Sequence, residues 1–109
     1  MITLYLRYTL DPHKLKHFET YAANEQIPIR ESGGEIVGYF RPTDFAGATN
    51  EAHALIDFKS LADYEIYRAK LAEHPQHKKN IAAVEKESAI LSIQRSLIQR
   101  VRAAEEPSE

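Results

Sequence analysis

Ile27-Pro28-Ile29-Arg30-Glu31-Ser32-Gly33-Gly34-Glu35-Ile36-Val37-Gly38-Tyr39-Phe40 is the stretch where a helix gives way to a strand. Pro28 lacks the N–H that a helix interior uses, and the Gly33-Gly34 pair can adopt the positive-φ conformations that end a helix. Ile36 to Phe40 is rich in β-branched and aromatic residues, the composition of a strand. With a strand ahead of the helix, the stretch completes a β-α-β unit, and the remainder of the chain repeats that unit.

Working outward, Ile2 to Thr9 alternates as a first strand, with Ile2, Leu4, Leu6 and Tyr8 on one face and Thr3, Tyr5, Arg7 and Thr9 on the other. Asp11-Pro12 reads as a helix start, Asp11 as N-cap and Pro12 at the first helical position, where a missing N–H costs nothing. Leu15, Phe18, Tyr21 and Ala22 mark the buried stripe of this helix, which is expected to weaken over Asn24 to Ile27 and to resume for one turn before Gly33. The second strand is expected over Glu35 to Arg41. Pro42 to Asn50 then forms a loop, long for a hairpin connection and suited to a lid or an interface.

His53 to Phe58 alternates as the third strand, with Ala54, Ile56 and Phe58 opposite His53, Leu55 and Asp57. Ser60 caps the next helix, whose packing face carries Tyr64, Tyr67, Arg68 and Leu71. His74-Pro75 interrupts it, because a residue before proline avoids the α region. A further helical piece is expected over Gln76 to Ser88, packed through Ile81 and Val84, and a last strand over Ile90 to Val101.

The order β-α-β-β-α-β predicts an α+β, ferredoxin-like fold with both helical layers on one face of a four-stranded antiparallel sheet. The strands nevertheless carry large side chains on two faces: Leu4 and Leu6 against Tyr5, Ile36 and Phe40 against Val37 and Tyr39, Ile56 and Phe58 against Leu55. A lone subunit would expose more apolar sheet than soluble monomers tolerate, so a homodimer joined through its sheet faces is expected.

Composition bounds the rest. The chain has 109 residues, enough for one domain over 1–102 followed by a short acidic tail over 103–109. Apolar residues make up 43% and charged residues 28%, with a net charge of −2, so no basic footprint for nucleic acid exists. The absence of cysteine removes disulfides, thiolate metal sites and a thiol nucleophile. No apolar run is long enough for a membrane span, and Met1 to Leu6 lacks the features of a signal peptide, so the expected location is the cytoplasm.

Tyr8-Thr9-Leu10-Asp11-Pro12, the Ile27–Phe40 stretch, Asp57-Phe58-Lys59-Ser60-Leu61-Ala62 with Tyr64 and Arg68, and Arg95 together resemble the NIPSNAP family over about Met1 to Val101. Pro28-Ile29-Arg30-Glu31, followed by Gly34 and Val37-Gly38-Tyr39-Phe40, is the most specific part. The resemblance implies a dimeric α+β barrel, in which the sheets of two ferredoxin-like subunits pair with their helices outside. It implies no settled reaction, cofactor or catalytic residue. Where the family often places a glutamate and an arginine two apart, this chain has Leu4 and Leu6. Where the family often has a histidine and a tryptophan, this chain has Ala54 and Ile56.

Few residues suggest chemistry. Tyr5, Arg7, Tyr39, Arg41, His53, Tyr64 and Tyr67 are the candidates for lining a pocket between sheet and helices, because phenols and guanidinium groups orient a carbonyl or phenolate ligand. Aromatics at such positions more often form core. His53 is a candidate general base, but its ordinary reading is a half-exposed strand histidine. The pairs His13/His17 and His74/His77 have metal-ligand spacing without a third ligand fixed by sequence, so no metal and no cofactor is expected.

Two functions from different classes follow. One is a small-molecule-binding or accessory homodimer without turnover, taking a small apolar or aromatic ligand. The other is a cofactor-independent monooxygenase or isomerase acting on a small aromatic or lactone substrate, using Tyr39, His53 and either Tyr64 or Tyr67.

Overall fold

A computed structural model describes residues 1–105 and 107. Its elements are β1 (Ile2–Leu10), α1 (Leu15–Glu31), β2 (Glu35–Phe40), β3 (Glu51–Phe58), α2 (Leu61–Glu73), α3 (Pro75–Lys86) and β4 (Ile90–Ile98). The four strands form one antiparallel sheet in the order β2-β3-β1-β4, the expected ferredoxin-like arrangement. Of the expected tail, 103–105 and 107 are exposed and outside any helix or strand, while 106, 108 and 109 lie outside the described residues.

Register decides which side chains meet the helices. Leu4 sits opposite Ile56, Leu6 opposite Ala54 and Tyr8 opposite Ala52, and all six are buried under the helical layer. Burying a leucine or isoleucine of this kind contributes about 1.5–3 kcal/mol. Against them pack Phe18, Tyr21, Ala22 and Ile29 of α1, Tyr64 and Tyr67 of α2 and Val84 of α3. The intervening residues Thr3, Tyr5, Arg7, His53, Leu55 and Asp57 occupy the other face, which no helix covers.

Three local expectations are corrected. First, α1 begins at Leu15 rather than at Pro12. Asp11 instead closes a turn, accepting from Lys14 N–H through its carbonyl and from His13 N–H through its side chain, at 2.9 Å each. Second, α1 runs unbroken through Asn24 to Ile27. Pro28 removes a single helix hydrogen bond, and its own burial together with that of Glu25 and Ile29 holds the helix across the defect. Third, β2 carries a bulge between Ile36 and Gly38. The extra residue turns Ile36 and Tyr39 to the helix side, opposite Ile56 and Ala54, and leaves Phe40 opposite His53 on the open face.

The helical layer also stops short of β4. Ile93 and Leu97, although opposite Tyr8 and Leu4 on the helix side, are 42% and 41% exposed, and Ile98 of the open face is half exposed.

Candidate functional site

The seven candidate pocket residues do not converge; alternation and the β2 bulge divide them among three places. Tyr5, Arg7 and His53 lie on the open sheet face rather than between sheet and helices. There the Tyr5 hydroxyl and His53 Nδ1 share a 2.8 Å hydrogen bond, and the two rings stack at 5.8 Å. His53 therefore has a partner that its sequence context did not reveal. On the same face Arg7 donates to Gln94, and Thr3 donates to Asp57 at 2.6 Å.

Tyr64 and Tyr67 belong to the core. Both rings pack on Phe58, at 5.3 and 4.7 Å between centroids, and the Tyr64 hydroxyl accepts from Arg68 at 3.0 Å. Burial holds the Tyr67 phenol well above its usual titration range, so it stays neutral and serves as neither base nor nucleophile.

Tyr39 and Arg41 do line a pocket. A groove of about 280 Å³ runs between α1 and the β2 edge, walled by Phe18, Ala22, Ala23, Gln26, Tyr39 and Phe40. Arg41 and Glu19, ion-paired at 2.7 Å, line it as well. Tyr39 lines it from β2. Its hydroxyl turns inward to that of Tyr8 at 3.2 Å, and burial, then the neighbouring Tyr8 and Tyr21, raises its pKa well above normal. The groove thus offers apolar walls, a guanidinium–carboxylate pair and an amide, with no ionised phenol.

Glu25 is a polar site that reading of the sequence missed. It is 1% exposed and lies at the α1–α3 contact, accepting from His77 Nδ1 at 2.5 Å and from Asn80 Nδ2 at 3.1 Å. Desolvation raises its pKa, while the hydrogen bonds from Asn80 and His77 act against that rise. The signal was available: Phe18, Tyr21, Ala22, Glu25 and Ile29 follow one helical stripe, and a glutamate on that stripe requires a buried partner. Beside it, Tyr21, Asn24, Asn80 and Val84 border a smaller cavity of about 110 Å³.

The histidine pairs are separated by their partners. His74 donates to Glu31 at 2.7 Å and caps α3 by accepting from Gln76 N–H, whereas His77 serves Glu25. Among the described residues no group of three or more His, Cys, Asp or Glu is placed to hold a metal. No helix among them is long and apolar enough to cross a membrane.

With this geometry in place, comparison with known proteins gives one consistent result. The sequence matches the NIPSNAP family profile over residues 5–104. A NIPSNAP family protein of unknown function from Agrobacterium tumefaciens superposes with a TM-score of 0.79 at 24% identity, over 96% of this chain and 92% of that one. An uncharacterised NIPSNAP domain protein from Burkholderia xenovorans gives 0.76 at 18% identity, over 99% and 100%. A putative antibiotic biosynthesis monooxygenase from Nitrosomonas europaea gives 0.70 at 12% identity, over 94% and 100%, a likeness of fold. Comparison with curated proteins gives no match.

Proposed function

The chain belongs to the NIPSNAP family, and on that premise we propose that it is a homodimeric small-molecule-binding protein, accessory rather than catalytic, which holds a small apolar or aromatic ligand in the α1–β2 groove. The observation that carries the ligand site is the groove itself. Its walls are aromatic and aliphatic; of its polar groups, Arg41 and Glu19 neutralise each other in an ion pair, and Gln26 suits a carbonyl substituent.

Binding is favoured over turnover for two reasons. The helix-side face that would have to enclose a reacting substrate is filled, with Leu4, Ala54 and Ile56 fully buried. The phenol nearest the groove is also held neutral. A monooxygenase or isomerase role, suggested by the name of the Nitrosomonas protein, therefore lacks a free base in the groove, whose carboxylate, Glu19, is paired with Arg41.

The homodimer rests on the open face. Six of its polar residues are already paired within the chain, as Tyr5–His53, Thr3–Asp57 and Arg7–Gln94. A second copy can cover these three pairs without leaving their polar groups unpaired.

The ligand site is tested with 8-anilinonaphthalene-1-sulfonate (ANS) and Ala23→Phe, which places a ring in the groove from a solvent-accessible helix position. The wild type is expected to bind ANS saturably, with a fluorescence rise and a higher melting temperature, and Ala23→Phe to lose both. Equal ANS binding by the two proteins would sink the groove as the site.

A further inference from the structure

We propose that Phe45 is the lid of the α1–β2 groove, folding over a bound aromatic ligand and completing the apolar enclosure that the groove alone does not supply; this inference rests on the groove being the ligand site. Small-molecule sites bury most of their ligand's surface, yet this groove is open along one side. Whatever occupies it therefore needs further apolar cover.

The neighbouring loop provides a candidate. Between β2 and β3 the chain runs through Pro42 to Asn50, longer than the two to five residues or so that join most hairpins, and loops of such length commonly act as lids. Both feet of the loop are fixed. Arg41 lines the groove and is held to α1 by Glu19, while Asn50 is tied to the end of β1, its carbonyl accepting from Leu10 N–H at 2.8 Å and its side chain donating back to the Leu10 carbonyl at 3.3 Å. Between the feet, every residue from Thr43 to Thr49 is exposed.

Phe45 lies within that span and is 94% exposed, which leaves a large apolar ring with nothing to pack on. It is four residues from Arg41, a lining residue, so an extended chain can carry it about 14 Å from the groove's own wall. Pro42 stiffens the near hinge, and Gly47, at φ +85°, takes up the backbone change on the far side. Phe18 and Tyr39 already present aromatic surface to the groove, so a ligand ring held against them would be sandwiched by the incoming Phe45.

The chain contains no tryptophan, so Phe45→Trp installs a single reporter at a position whose exposure protects the fold. Adding ANS to the Phe45→Trp protein is expected to quench the tryptophan emission saturably, along the same isotherm as the rise in ANS fluorescence. Phe45→Ala is expected to weaken ANS binding about three- to tenfold, the worth of one aromatic contact, with an unchanged melting temperature in the free protein.

Three results would overturn the lid. Unchanged ANS affinity in Phe45→Ala, with binding still abolished by Ala23→Phe, would leave the groove standing and remove Phe45 from it. Quenching that persists in the Phe45→Trp/Ala23→Phe double variant would place the ANS elsewhere. A tryptophan emission that shifts to the blue with protein concentration alone would assign Phe45 to a second copy of the chain. If instead Ala23→Phe has no effect on the wild type, the groove fails first and the lid fails with it.

Discussion

Glu25 shows how one residue can run against the grain of its surroundings. Its carboxyl is placed on the buried stripe of α1 and is held there by His77 and Asn80. Because burial raises its folded-state pKa above 4.5, the folded chain retains this proton more strongly than the unfolded chain does. Its contribution to stability is therefore complete below about pH 4.5 and declines as the pH rises through the folded-state value. Glu25→Gln keeps an oxygen acceptor and has no proton to lose. The melting temperature of the variant is expected to fall less than that of the wild type between pH 4.5 and pH 7, the difference corresponding to about 1.4 kcal/mol for each unit of raised pKa. Parallel pH profiles for the two proteins would contradict this. Periodicity could have placed Glu25 on the stripe, but its partners come from a helix some fifty residues away, and that long-range contact is invisible to local pattern.

At the scale of elements, the β1 and β3 alternation, the Ser60 cap and the His74-Pro75 break were all legible, because each depends on a few adjacent residues. What was not legible depends on tertiary contact. Pro28 looked like a helix breaker until packing offset its missing bond, and the bulge in β2 reversed the faces of the residues after Val37. That bulge is why Tyr39 and His53 do not share a pocket. The α1–β2 junction itself is divided between two glycines with different tasks. Gly33, at φ +109°, ends the helix, whereas a Cβ on Gly34 would lie 2.8 Å from Ile29 Cγ2 and 2.9 Å from Ile56 Cγ2. Both isoleucines are fully buried and have little room to yield. Gly34→Ala is expected to destabilise the protein by about 1–3 kcal/mol, read as a lower urea midpoint with an unchanged slope. A midpoint equal to that of the wild type would show that the two isoleucines repack at no cost.

For the whole molecule, the structure keeps the expectation of uncovered sheet and relocates part of it. Helices shield one face of β1, β2 and β3, and leave the other face open with Tyr5, Leu55 and Phe40 on it. They also leave β4, with Ile93, Leu97 and Ile98, partly bare on both sides, and β4 is an edge strand with backbone groups free to pair. Exposed apolar strand of this extent at a sheet edge is what a second copy would cover, and the three internal polar pairs of the open face can be covered with it. Sedimentation equilibrium at micromolar concentration tests this most directly. The predicted result is a single species of twice the 12.4 kDa chain mass; a species that stays at 12.4 kDa over the concentration range would contradict it.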